Sequence, residues 1–336
     1  MLFFLIKFYK MLFLFTLMLG TLISISSNSW FLMWLGLEIN LISIMPLFKM
    51  QKNMYSTEAT IKYFITQALA SNLILFSIII SHMTPEMIIN SKNLILDSAL
   101  LTKMGAAPFH FWFPEVMEGL NWINCFILLS WQKIAPMILL MYNSYLSLFM
   151  MMIIITSMII GGIQGFNQIS LRKIMAFSSI NHIGWMLSIM FNSQMIWIIY
   201  FMIYSIISFN IIWFFSKFKL FYFNQLFFSM NKNYMFKILF IVNFFSLGGL
   251  PPFLGFLPKW LTINSNISNN LYLISFMMII LTLITMYFYI RITFSTILIN
   301  SSKSLINPLN MSFFWMINTI FFSLFSLILY PLIFLF

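Results

Sequence analysis

Charge is scarce in this chain: Asp and Glu number six among 336 residues, and charged side chains of both signs make up 7%. That leaves too little polar surface to clothe a soluble globule when 62% of the residues are hydrophobic and the mean hydropathy is +0.99. Cysteine is nearly absent as well. The lone Cys125 cannot close an intrachain disulfide or supply the four thiolates usual for an iron–sulfur cluster, so no redox centre is expected here. A dense basic patch is also missing. The net charge of +11 is spread over short loops, which excludes the footprint of a nucleic-acid binder. No soluble domain, long linker or low-complexity tail interrupts the apolar runs.

Those runs repeatedly reach the roughly 20 residues that span hydrocarbon as a helix. The sequence therefore predicts an all-α polytopic membrane protein with about eleven transmembrane helices. They fall near 8–27, 29–48, 59–82, 93–119, 121–143, 146–168, 170–191, 194–216, 237–264, 270–294 and 312–336. Sorting loop charges onto alternate faces puts Lys7, Lys10, Lys49, Lys52, Lys62, Arg172, Lys173, Lys217, Lys219, Lys232, Lys237, Arg291 and Lys303 on one side and only Lys92 on the other. The positive-inside rule then sets the N-terminus inside and the C-terminus outside. A competing reading treats Lys7 and Lys10 before an apolar run as a signal peptide. The loop from Lys217 to Lys237 is the only sizeable connection, and the glycosylation-like Asn266-Ile-Ser268 and Asn310-Met-Ser312 match at a frequency expected by chance.

Two spans carry helix breakers. The fourth contains Lys103-Met-Gly-Ala-Ala-Pro108 and then Pro114; the ninth contains Gly248-Gly-Leu-Pro251-Pro252, then Gly255 and Pro258. Proline removes a backbone donor and clashes with the preceding turn, so each span should open into two half-helices beside a polar, hydrated pocket that serves the freed backbone groups. Spans four and nine lie five apart, so spans one to five and six to ten would cross in opposite senses. That predicts two inverted five-helix repeats, about 1–145 and about 146–295, each with a discontinuous helix, followed by an extra helix near 312–336. Against strict inversion, Lys103 precedes its break whereas Lys259 follows its own.

Ionisable residues inside apolar runs are the candidate functional residues. A lysine at the centre of a span costs about 2.5 to 3.5 kcal/mol on insertion scales. Lys103, Lys133 and Lys259 all fall inside spans, as do Glu38 and His182. Lys133 lies about thirteen residues into its span, nearly 20 Å along a helix at 1.5 Å per residue, too deep to snorkel. Glu38 and Lys103 are each other's expected partners. Desolvation disfavours a charge and pairing favours it, so a separable pair makes a proton carrier. Lys259 reads equally as a surface anchor beside Trp260, and His182 equally as a hydrogen-bonded core histidine. Glu58 and Lys62, four apart, read as a local helix pair.

Taken together, Trp34-Leu-Gly-Leu-Glu-Ile-Asn40, Ser56-Thr-Glu-Ala-Thr-Ile-Lys-Tyr-Phe64, Lys103-Met-Gly-Ala-Ala-Pro-Phe-His-Phe-Trp112, Trp131-Gln-Lys-Ile-Ala-Pro136, Leu171-Arg-Lys-Ile-Met-Ala-Phe-Ser-Ser-Ile-Asn-His-Ile-Gly-Trp185 and Gly248-Gly-Leu-Pro-Pro-Phe-Leu-Gly-Phe-Leu-Pro-Lys-Trp260 closely resemble the antiporter-like chain 2 subunits of mitochondrial NADH:ubiquinone oxidoreductase, respiratory complex I. The resemblance runs through nearly the whole chain. It implies a proton-translocating subunit in which Glu38, Lys103, Lys133 and Lys259 form the proton path and His182 matches a recurring histidine. It further implies the mitochondrial inner membrane, with the N-terminus in the matrix and the C-terminus in the intermembrane space. Partners would be the other membrane-arm subunits and lipid, cardiolipin among the candidates, with no nucleic acid. No cofactor or metal is expected on this chain; NADH, FMN, iron–sulfur clusters and ubiquinone belong elsewhere in the complex. The resemblance further implies that three N-terminal spans found in bacterial members are missing from this chain. Heavy use of Ile, Phe, Asn and Met, 29 of the last, fits an AT-rich, insect-like organellar gene. A stand-alone cation/proton antiporter and a purely structural connector are the alternatives.

Overall fold

The computed structural model describes residues 2–49, 53–83, 89–143, 148–230 and 234–298. It divides into two compact units that meet between Phe149 and Met150. Fourteen helices account for nearly all the described residues, and the only β feature among them is an isolated bridge from Ser170 to Tyr222.

The first unit begins with α1 (Leu2–Ser26) and α2 (Trp30–Phe48), a tight antiparallel hairpin. Small residues let its backbones touch. A Cβ on Gly36 would lie 2.6 Å from the Ser24 nitrogen, and one on Gly20 would lie 3.0 Å from the Gly36 carbonyl oxygen. Apolar α3 (Met54–Met83) follows, then the interrupted pair α4 (Ile89–Met104) and α5 (Trp112–Gly119), then α6 (Trp122–Leu129) and α7 (Trp131–Asn143). The second unit holds α8 (Leu148–Phe166), which straddles the boundary, followed by α9 (Leu171–Met190) and α10 (Gln194–Phe218). It continues with short α11 (Phe223–Met230), the interrupted pair α12 (Tyr234–Gly248) and α13 (Phe256–Ser268), and α14 (Tyr272–Leu298).

Seven helical segments among the described residues are long and apolar enough to cross a membrane. They are Phe8–Ser26, Trp30–Phe48, Met54–Ser81, Trp122–Asn143, Leu148–Phe166, Gln194–Phe218 and Tyr272–Thr296. The sequence count of about eleven differs for identifiable reasons. Spans four and nine are broken into halves too short to qualify, α9 carries Arg172, Lys173 and a polar middle, and the span near 312–336 lies outside the described residues. Helix α9 is buried along almost its whole length and forms the axis of its unit, packed by α10, α13 and α14.

The connection from 217 to 237 contains α11 and is pinned to the start of α9 by the Ser170–Tyr222 bridge. The expected span over 121–143 is present as Trp122–Asn143, with one local break at Ser130 where α6 gives way to α7. Pro136 accounts for this, because it cannot donate to the Gln132 carbonyl and its ring crowds that turn. Elsewhere Ser and Thr hydroxyls fold back onto their own helices, as Ser24 does to the Thr21 carbonyl, Ser77 to Ile74 and Ser157 to Ile154. This local bonding lets apolar helices carry hydroxyls without a polar neighbour.

Candidate functional site

Both expected breaks are present, and they end the same way. In the first unit Ala106 N–H donates to the Leu101 carbonyl and Gly105 N–H to Thr102, with Gly105 at φ 74°. In the second, Leu250 N–H donates to Phe245 and Gly249 N–H to Ser246, with Gly249 at φ 79°. Each is a Schellman stop, which needs a residue at ease in the left-handed region and hence glycine. The half-helices resume at Trp112 and Phe256.

Several carbonyls around the two breaks are met by side chains. Trp112 Nε1 donates to the Thr102 carbonyl at 3.0 Å, and Gln67 Nε2 donates to that of Lys103 at 3.3 Å. In the second unit the Gly248 carbonyl accepts from Lys259 Nζ at 2.6 Å. The exposed end of a broken helix is therefore met by side chains of the same unit.

This explains where two lysines sit. Lys103 occupies the last turn of α4, and the Lys259 ammonium caps the last carbonyl of α12, so each meets the negative end of a half-helix. A hydrogen bond from a charged donor contributes about 1.5 to 3 kcal/mol and a helix end up to about 2, together comparable with the cost of placing a lysine in mid-membrane. Lys259 is 7% exposed and its ammonium also stands 5.8 Å from the centre of the Trp185 ring. It faces inward, which removes the surface-anchor reading.

Glu38 is half-buried on α2 and acts electrostatically on buried Lys103, without a direct ion pair among the described residues. Beside Lys103 lies a small cavity lined in part by Asn40, Tyr63, Gln67 and Gln132. About 10 Å³ of it is open to the centre of a water, the least that one water needs. A chain of amides and a phenol borders it: Tyr63 Oη donates to Gln132 Oε1 at 3.2 Å, and Gln132 Nε2 donates to Asn40 Oδ1 at 2.9 Å. Lys133, next to Gln132, is 1% exposed, with its ammonium 5.5 Å from the centre of the Phe113 ring. Glu38, Lys103 and the Lys133 region thus converge in the first unit.

The second unit holds Lys259 and His182. His182 is buried on α9, its Nδ1 2.9 Å from the Tyr200 hydroxyl and its ring 4.9 Å from that of Tyr204. That arrangement suits a structural histidine and a relay equally. Among the described residues no group of three or more His, Cys, Asp and Glu is placed to hold a metal. The exposed Lys62 bonds not only Glu58, at 2.9 Å, but also Glu115 on α5, at 2.8 Å, tying α3 to the half-helix beyond the break.

Sequence reasoning missed the neutral members, Asn40, Tyr63, Gln67 and Gln132. Their signal was position: Asn40 two residues after Glu38, Gln132 just before Lys133, and Gln67 in the middle of an apolar span. It also missed the distribution of acids, since Glu118 is the last Asp or Glu in the chain. The second unit has no acidic side chain at all.

Comparison with known proteins adds a lineage to this geometry. The family described as NADH:quinone oxidoreductase/Mrp antiporter, TM, matches residues 27–285. The chain is 53% identical over 298 residues to NADH-ubiquinone oxidoreductase chain 2 of Anopheles gambiae, covering 87% of each, and 50% identical over 291 residues to that of Aedes aegypti, covering 85% of each. A chain of respiratory complex I from Thermus thermophilus shares its fold with a TM-score of 0.82 at 20% identity, over 93% of this chain and 75% of that one. A chain of the Mrp complex from Dietzia sp. does so with a TM-score of 0.71 at 15% identity, over 89% and 61%.

Proposed function

The chain belongs to the NADH:quinone oxidoreductase/Mrp antiporter membrane family, and from that premise we propose that its buried lysines carry protons through the membrane arm of respiratory complex I. It is a multi-pass subunit of the mitochondrial inner-membrane NADH:ubiquinone oxidoreductase, an enzyme that couples quinone reduction to proton translocation, and its partners are other subunits of that complex. Glu38, Lys103, Lys133 and Lys259 are the proposed path, with His182 beside it. The redox cofactors are proposed to sit on other chains of the complex.

The observation that carries this reading is the seat of Lys103 and Lys259 at the carbonyl ends of broken half-helices. A buried ammonium held by one carboxylate at a distance, or by one carbonyl, changes its proton affinity when that partner moves. Lys103 has such a partner in Glu38, and Lys259 in Gly248. The protein's part is to hold a proton at each lysine Nζ, keep bulk water out by packing, and pass the proton by way of the small cavity beside Lys103. The two units are proposed as the two repeats, about 1–145 and about 146–295. Support comes from their shared Gly-ended breaks. The N-terminus is proposed to face the matrix, and the 312–336 span is proposed as the added helix.

The test is the proton-to-electron ratio of the assembled complex in vesicles. Lys259→Met and Glu38→Gln should each lower that ratio at matched amounts of complex while NADH oxidation continues. An unchanged ratio in both would make the buried charges structural and this chain a connector. Ion exchange by the isolated chain in vesicles would instead favour a stand-alone antiporter.

A further inference from the structure

Every Asp and Glu of the chain lies at or before Glu118, so the second unit carries basic side chains and no acidic one. Four of its bases gather at one end. Arg172 and Lys173 open α9 and Lys217 and Lys219 close α10, and the Ser170–Tyr222 bridge fastens the two connections together there. At the same end is a cavity of about 340 Å³, lined among others by Asn167, Gln168, Asn224, Phe288 and Arg291. That volume is in the range of small-ligand sites, about 300 to 1,000 Å³.

Arg291 is the notable member. Its guanidinium lies 5.4 Å from the centre of the Phe166 ring, which is itself stacked on Tyr287 with ring centres 5.3 Å apart. This fixes the head group in place, yet among the described residues no side chain or carbonyl accepts a hydrogen bond from it. The carboxamides of Asn167 and Asn224, both exposed, likewise have no partner among the described residues, while Gln168 spends its amide on the Gln164 carbonyl. An oriented arginine with its donors open, beside two open carboxamides and with no acid in the unit, is built for an anion with several oxygens.

We propose that this cavity seats the phosphate of an anionic phospholipid from the leaflet at that end of the unit. Depth argues for a lipid rather than a free anion. Arg291 lies nineteen residues after Tyr272, about 28 Å along a membrane-crossing helix and so close to the roughly 30 Å thickness of the hydrocarbon core, near the level where head groups meet hydrocarbon. Phe288, Ile292 and Ile174 supply an apolar flank for the glycerol and upper acyl chain. Basic pockets between helices at this depth take acidic head groups for these reasons.

Photoreactive phosphatidylglycerol and phosphatidylcholine, carrying the reactive group near the head, are incorporated into membranes holding the assembled complex, and the adducts are mapped by mass spectrometry. Phosphatidylglycerol should label the segments 165–174 and 222–226 about fivefold more than phosphatidylcholine. Excess inorganic phosphate should leave that ratio unchanged. Arg291→Gln should bring it to about one, Arg291→Lys should retain part of it as a charged and folded control, and Lys217→Gln, which removes an equal charge at the same end, should leave it intact. Equal labelling by the two lipids, or a preference that survives Arg291→Gln, overturns the proposal. Suppression by phosphate overturns it in favour of a free-anion site.

Discussion

At the scale of single residues, the buried charges are surrounded by neutral hydrogen-bonding groups, and the two kinds should respond differently to substitution. Lys133→Met is expected to lower the proton-to-electron ratio with assembly largely intact, because a long apolar side chain fits the same buried site without a charge to bury. Lys133→Arg should assemble and still be impaired, since a guanidinium stays protonated at any accessible pH. Blue-native gels and vesicle pumping read the two effects separately. Gln132→Leu should act mainly on stability. It strands Asn40 Oδ1 and Tyr63 Oη together, at about 1 to 3 kcal/mol for each buried group left unsatisfied, and a lowered thermal midpoint of the purified complex is the readout. The charged members were legible in the sequence because lysine in hydrocarbon is conspicuous by its cost. The amides were not, since a neutral Asn or Gln in a span is common and its meaning depends on a partner such as Asn40, 92 positions from Gln132.

At the scale of elements, the breaks were readable because proline and glycine act on their own backbone. The interruption at Ser130 was not, because Pro136 exerts its effect a turn or more upstream, where the residues look helical. The partner of Lys62 on α5 was equally hidden, being set by how α3 packs and not by helical spacing. The break in the second unit yields a sharp prediction. A Cβ on Gly249 would lie 3.0 Å from Lys259 Nζ in a backbone at φ 79°, so Gly249→Ala should both strain the stop, by about 1 to 2 kcal/mol, and push the ammonium off the Gly248 carbonyl. Pumping should fall more than stability does. If Gly249→Ala pumps at the normal ratio with unchanged thermal stability, the grip of Lys259 on the half-helix end is incidental.

At the scale of the whole molecule, the loop charges predict that the N-terminus and the segment 217–237 face the matrix and the C-terminus faces the intermembrane space. Tags at both ends and in that segment, probed with protease in sealed inner-membrane vesicles, give the answer. Termini protected from the same side would mean an even number of spans. Fold class was legible from hydropathy alone, because every backbone group in lipid must be satisfied within a helix. The full count was not. Hydropathy reads the average environment of a segment, and α9 is a helix whose surroundings are almost entirely protein.

The contact between α1 and α2 bears on how the chain is made. Only residues 27–29 separate these helices, and Gly20 and Gly36 bring their backbones together before any later helix is needed. A hairpin so short-looped needs nothing translated later in order to close. It can leave the insertion machinery as a finished pair while the ribosome is still reading the segment that will become α3. The helix bearing Glu38 would then be set in its register before Lys103 and Lys133 exist, and the rest of the first unit would assemble against a surface already in place. An alanine at Gly36, whose added methyl group meets the Ser24 backbone, would act during translation and leave its mark as a nascent chain degraded before it reaches the complex.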